Sequence, residues 1–356
     1  MRLALAGVPL PGRTRRAFRA RYLLAGVCGL SLLAAAGCGT SSSAGSAVSD
    51  TVTIAAVPGV DDASLYLAQK DGLFAAEGLE HVRIETFPNQ AQVISALQSA
   101  KADIAASDYG DVFSLEAQSA HPKQPLVRIL ADGYDATPGV LEVLTLPGST
   151  TVTSPMSLSS PKVVVGLPND DYLKNLSGAG VPVSLDAAAA TDVLSDYLGV
   201  AADSVQWKPM SQAQEVTQLE QHKLQAILVS EPYIYQAESK DGAIEVLDAC
   251  SGSTAGLPLL GYVAMNAWVR ENPTAVADFQ AALAKAQADA TVAGKVQAVL
   301  PSAAGVSAQV ADLITVGSYP TSTSIPNLQA VVRLMYNSRM ISNSPAVPPM
   351  IVKPAS

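Results

Sequence analysis

Carboxylates, amides and tyrosines recur in this chain where short apolar runs stop. Asp61 and Asp62 follow "TVTIAAV", Asn89 and Gln90 follow "VRIETF", and Ser107, Asp108 and Tyr109 follow "ADIAA". Asp132 closes "LVRILAD", with Tyr134 and Asp135 just beyond it. A second series places Asn169, Asp170, Asp171 and Tyr172 after "PKVVVGL", and Ser230, Glu231 and Tyr233 after "QAILV". Such residues can hydrogen-bond and charge-pair with a small solute, and the rings can pack on an ammonium group. A structural role is open beside that one: Asp62, Asn89 and Ser230 suit helix N-caps, each worth about 1 kcal/mol, and acidic residues in a first turn suit the helix dipole. Catalysis has no comparable set. His81, His121 and His222 are far apart, and HExxH, CxxC and GxGxxG are all absent. Ser159 to Lys162 has the form SxxK, but Pro161 ill suits the helix that pattern needs and no KTG follows. No enzymatic activity, metal or cofactor is expected.

Strands and helices alternate around these positions. "TVTIAAV" (51–57), "VRIETF" (82–87), "ADIAAS" (102–107) and "LVRILAD" (126–132) read as strands. Between them "DDASLYLAQKDGLF" and "NQAQVISALQSA" have helical spacing, with Val93, Ile94 and Leu97 on one face. The pattern restarts with "PKVVVGL", "VQWKP", "QAILVS" and "AIEVL", separated by helical "AAAATDVLSDYLG" and "SQAQEVTQLEQHK". Two runs, Gly139–Leu146 and Gly261–Val269, link the series, and the C-terminal part is helical from Asn272-Pro273 onward. This predicts an α/β protein of two lobes, each a mostly parallel sheet flanked by helices, joined by two hinge strands. Residues 51–138 with 266–343 form lobe 1, residues 139–265 form lobe 2 with the hinge strands, and 344–356 are a C-terminal tail. Ligands of open α/β sheets gather beyond the carboxyl ends of strands, which puts the site in the interlobe cleft.

The run "SLYLAQKDGLFAAEGLEHVRIETFPNQAQVISALQSAKADIAASDYGDV" resembles the first lobe of solute-binding proteins of ABC importers. The branch is the one serving sulfonates, nitrate and thiamine-pyrimidine precursors. Its marks are "KDGLF", then "EGL", then the Ala96–Ile104 strand entry; further on come Glu231-Pro232-Tyr233 and "AMNAWVRENPTAVADFQAAL". The resemblance implies a type II periplasmic-binding-protein fold, whose lobes close on a small solute and present it to a permease and its ATPase. Sulfonate and nitrate binders of that branch often start the first helix of lobe 2 with Gly-Ser-Ser, where bare N–H groups receive an anion. Here "GLPNDDYLKNL" puts Asp170 and Asp171 there. With Asp108, Asp132, Asp135 and Glu231 near the same cleft, a cationic or neutral ligand is expected, with Tyr109, Tyr134, Tyr172 and Tyr233 able to pack on it.

The N-terminus explains how such a receptor would be held. Five arginines between Arg13 and Arg21 precede a fifteen-residue apolar run, Tyr22–Ala36, too short for a permanent span of about 20 residues. Ala35-Ala36-Gly37-Cys38 resembles a bacterial lipobox, with Ala35 where Leu is usual. Residues 1–37 are thus expected to be a signal peptide and Cys38 to carry lipid. Gly39–Asp50 would then be a Ser/Gly leash of roughly 20 Å to the outer face of the cytoplasmic membrane. Thr14-Arg15-Arg16-Ala17-Phe18 also fits twin-arginine export, so both export routes stay open. Removing 1–37 takes away six Lys/Arg and no acidic residue, so the formal charge falls from −9 to −15. No nucleic-acid partner is expected of so acidic a surface. The mature chain keeps one further cysteine, Cys250, read as a core residue, and is expected to be a monomer. A surface sensor coupled to a membrane kinase would use the same fold, as would, more remotely, a pyrimidine-precursor synthase.

Overall fold

The structure, a computed structural model, describes residues 51–119, 124–168, 184–199 and 204–354. The expected signal peptide at 1–37, the expected lipidation of Cys38 and the expected leash at 39–50 fall outside the described residues. Among those described there are ten strands: β1 Thr51–Ala56, β2 His81–Thr86, β3 Ile104–Asp108, β4 Val127–Asp135, β5 Leu141–Thr145, β6 Val164–Pro168, β7 Gln206–Met210, β8 Ala226–Ser230, β9 Ile244–Asp248 and β10 Pro258–Met265. The longer helices are α1 Ala63–Lys70, α2 Gln90–Gln98, α3 Tyr109–Ala117, α4 Leu185–Leu198, α5 Gln212–Glu220, α6 Tyr233–Asp241, α7 Pro273–Asp289 and α8 Ile325–Asn337. Their starts are chemically marked. Asn89 Oδ1 accepts the Gln92 N–H, Ser184 caps through Ala187, and Ser211 and Gln214 form a reciprocal capping box.

The strands form two sheets with one plan. In the first the order is β2-β1-β3-β10-β4, and in the second β7-β6-β8-β5-β9. Each has three parallel strands, then one reversed strand, then an edge strand paired antiparallel to it. In both, the reversed strand is the first after the chain crosses over: β5 follows the crossing at 136–140, and β10 the return at 249–257. The expected second hinge therefore moves. Gly261–Val269 is not a link, because β10 lies between β3 and β4 with Tyr262 and Val263 fully buried, and its run of apolar residues is core. The expected tail is also part of the first lobe. Ile351 bridges to Ile129, Val352 N–H donates to the Ile129 carbonyl, the Arg128 guanidinium donates to the carbonyls of Met350 and Ile351, and Val347 and Met350 are buried.

Three apolar clusters hold this together. One lies between the first sheet and α1 and α7, built on Ile54, Leu65, Phe74, Tyr262, Phe279 and Leu283. Another packs Leu144, Val216, Leu219, Ile227 and Val229 under α5 and α6 in the second lobe. The largest is continuous across the crossings, from Leu97, Phe113 and Ile129 through Val140, Leu141 and Leu257 to Val165, Leu185 and Leu194. Helix α8 contributes Leu328, Val331 and Met335 to it and packs on both α3 and α4. Burying each such side chain stabilises by about 1.5–3 kcal/mol, so the crossing side of the molecule is a shared core. Relative movement of the lobes has to pivot there. Among the described residues, no helix is long and apolar enough to cross a membrane.

Candidate functional site

The carboxyl ends of β1, β3 and β4 bring together most of the first-lobe candidates. Asp62, at the head of α1, is fully buried, and neither of its carboxylate oxygens has a hydrogen-bond partner within the chain. Its main-chain carbonyl accepts the N–H groups of Leu65 and Tyr66. It is therefore not the side-chain cap expected of that position. Burial, with the neighbouring carboxylates of Asp61 and Asp108, holds its carboxyl well above the usual range. Asp61 beside it is pushed up to about 6, chiefly by burial, with its own N–H and that of Asp62 opposing.

Across the sheet, Ser107 on β3 and Asp132 on β4 both register on Gly261 of β10. Gly261 leaves room for the Tyr109 ring: a Cβ there would lie 2.4 Å from the phenolic oxygen. Tyr109 donates to Asp132 Oδ1 at 3.1 Å and stacks on Phe113 with centroids 5.6 Å apart. The other Asp132 oxygen, Asp135 Oδ1 and Ser107 Oγ have no partner within the chain. Burial and the charge of Asp135 raise Asp132 strongly against the hydrogen bonds from Tyr109 and Gly133, and burial pushes Asp135 up to about 7.

Tyr109 and Tyr134 serve a different purpose from the one expected. Tyr109 is wholly enclosed, and Tyr134 is buried, with its ring 5.2 Å from Tyr319 and its hydroxyl accepting the Gly317 N–H. Both set the floor and neither offers a face to a ligand. Tyr262 and Tyr319, which the sequence did not single out, complete it. Tyr262 shares a hydrogen bond with Ser64, and Tyr319 donates to the Val60 carbonyl in the loop that carries Asp61. Asn89 stands apart as the α2 cap, while Gln90 Oε1 is buried without a partner in the chain.

In the second lobe, Asn169, Asp170, Asp171 and Tyr172 lie outside the described residues. Ser230 does not cap α6; its N–H and hydroxyl bond to the Gln212 side chain. Tyr233 packs on the second-lobe core. Glu231 takes the capping role: one carboxylate oxygen accepts the Tyr235 N–H at 3.1 Å, the other the Thr315 N–H at 3.0 Å. Thr315 belongs to the first lobe, since residues 317 and 318 are fastened to β4 through Tyr134 and the paired backbone bonds of Asp135 and Ser318. Glu231 thus ties the lobes together, and both its oxygens are engaged.

Ser159 ends a 3-10 turn and donates to the Met156 carbonyl. Cys250 is buried in the shared core, where burial raises its thiol further above its ordinary range. Among the described residues no group of three or more His, Cys, Asp or Glu side chains could hold a metal ion.

A family model described as NMT1/THI5 like matches residues 60–293. The chain belongs to the NMT1/THI5-like family. The resemblance read from "KDGLF" to Glu231-Pro232-Tyr233 thus has its counterpart in the family match. No curated protein matches the chain. Solved structures with this two-lobed fold include the ligand-binding component of an ABC-type import system from Staphylococcus aureus, zinc-bound, at TM-score 0.64 and 14% identity over 85% of this chain and 96% of that one. The aliphatic sulphonate binding protein SsuA from Escherichia coli matches at 0.64 and 16% over 86% and 93%. The desulfurization enzyme DSZB matches at 0.62 and 14% over 85% and 96%. At these identities the likeness is one of fold, which this chain shares with import-system binders and with an enzyme.

Proposed function

We propose that this NMT1/THI5-like chain is an extracytoplasmic solute-binding lipoprotein, which captures a small organic solute between its lobes and hands it to the permease and ATPase of an ABC importer. The solute is cationic or neutral rather than anionic. The observation that carries this is that, at the carboxyl ends of β1 and β4, both carboxylate oxygens of Asp62 and one each of Asp132 and Asp135 are buried and find no donor inside the chain. An anion placed at the head of α1 would meet Asp61, Asp62 and Asp108 together, and repulsion in a poorly solvated site outweighs the helix dipole. Family membership and the likeness to import-system binders favour uptake over catalysis. The Arg-rich start, the apolar run and Cys38 favour export and a lipid anchor.

A thermal-shift panel on residues 39–356 tests the binding role: a ligand at about 100 times its dissociation constant should add about 2.7 kcal/mol of stability. The same ligand should reduce the radius of gyration in solution scattering, and a hit that stabilises without altering the scattering curve counts against lobe closure. For the anchor, Cys38→Ala should abolish lipid labelling in cells; undiminished labelling removes the lipoprotein role.

A further inference from the structure

Resting on the solute-binding reading, we propose that the Asp62 end of the first sheet receives a planar cationic head carrying paired N–H groups, of the guanidinium or amidinium class. Asp62 is the starting point. A carboxylate at a helix head ordinarily accepts a backbone N–H from the second or third helical residue, and this one accepts none although it is fully buried. Among the described residues no Lys or Arg is recorded as offsetting its charge; the charged groups acting on it are Asp61 and Asp108. The four ion pairs among the described residues, Arg83 with Glu85, Lys240 with Glu220, Lys285 with Glu77 and Lys295 with Asp289, all lie elsewhere. A buried acceptor without a donor is costly, and a donor brought by a ligand removes that cost.

The acceptor pattern selects the donor. Both oxygens of one carboxylate are buried without a donor at Asp62, and a planar fork of two N–H groups would match them as a bidentate pair. Asp132 Oδ2 and Asp135 Oδ1 are further unpartnered acceptors, but β3 and β10 separate their strand β4 from β1, so the fork is matched at Asp62 alone. A quaternary ammonium brings charge with no N–H, and a sulfonate brings charge of the wrong sign. A metal ion lacks the three converging ligands it needs among the described residues.

Four probes of similar size separate these classes on residues 39–356: methylguanidinium, its neutral isostere methylurea, tetramethylammonium and methanesulfonate. Calorimetry should show methylguanidinium binding saturably and about ten- to hundredfold more tightly than methylurea, with no heat from the other two. Asp62→Asn should fold with an unchanged or raised melting temperature, because its carboxylate holds no partner, and should lose most of the methylguanidinium affinity; Asp132→Asn should lose less. Methylurea binding as tightly as methylguanidinium, absence of methylguanidinium binding, or equal affinity in Asp62→Asn overturns the proposal. If some other solute of a broader metabolite panel still closes the lobes, the proposal fails while the solute-binding reading stands. If no solute closes them, that reading fails as well.

Discussion

Glu231 is one residue through which the second lobe holds the first, and removing its grip should shift the lobes towards an open form. Its carboxylate accepts two backbone N–H groups, one local from Tyr235 and one across the lobes from Thr315. A hydrogen bond to a charged acceptor is worth about 1.5–3 kcal/mol and a neutral one about 0.5–1.5 kcal/mol. Burial raises the Glu231 carboxyl while both N–H groups lower it, so part of the charge advantage is spent on desolvation. The Thr315 bond is also solvent-accessible, which places the loss on Glu231→Gln near the lower end, about 0.5–1.5 kcal/mol. That corresponds to a shift of roughly two- to twelvefold in the ratio of open to closed lobes. Glu231→Ala should shift it further. Hydrogen exchange reads the bond directly: the Thr315 amide should exchange faster in both variants, while the Asp135 and Ser318 amides, bonded to each other's carbonyls, stay protected. Scattering should show the parallel expansion. A Thr315 amide that exchanges in Glu231→Ala at the wild-type rate refutes the latch, and expansion without that change places the effect elsewhere.

Two further outcomes follow from buried groups. Glu215, fully buried on α5 against Gly166, is pushed up to about 9 by burial, partly opposed by the Leu228 N–H. Its protonated form therefore stabilises the fold fully below about pH 4.5, and the contribution falls by up to about 1.4 kcal/mol per pH unit as pH rises towards 9. Urea melts of Glu215→Gln should show a flatter decline over that window, and parallel profiles for variant and wild type would contradict it. Gly261→Ala would set a methyl group 2.4 Å from the Tyr109 hydroxyl and force the ring off Asp132. It should cost about 2–4 kcal/mol in a denaturant melt, and a loss under about 0.5 kcal/mol would mean that the ring has room the packing denies it.

Strand positions were legible because most are short apolar runs ended by a polar residue, and the carboxylates of the candidate site were legible because they sit at those same ends. Their partners were not, because every one is distant in the chain. Tyr109 looked like a cleft wall from its place after β3, but the space that takes its ring inward is made by Gly261, on a strand contributed after the chain has visited the other lobe. The same return explains why β10 was read as a connector. An inner strand and a linking strand are both apolar, and only pairing on two sides, with β3 and β4, tells them apart. Glu231 was legible as a carboxylate at the head of α6, yet Thr315 lies 84 residues further on, so the tie between lobes has no local signature.

That non-locality has a mechanical consequence. The first lobe is completed only by β10, the residues around Thr315 and the C-terminal segment at Ile351, all of which follow the second lobe in sequence. The acidic floor is thus assembled from both ends of the chain, with Asp62 and Asp108 from the first passage and Gly261 and Tyr262 from the second. The Glu231 tie joins that floor's C-terminal strap to the strand end β8 of the opposite lobe. A ligand that draws on Asp62 and a latch that draws on Thr315 consequently act on one rigid body, so the two should add when the lobes close. Glu231→Gln should then weaken methylguanidinium binding by no more than the two- to twelvefold shift in lobe closure, because its carboxylate holds the closed form without touching the cation. A weakening near that of Asp62→Asn would instead place Glu231 on the ligand itself.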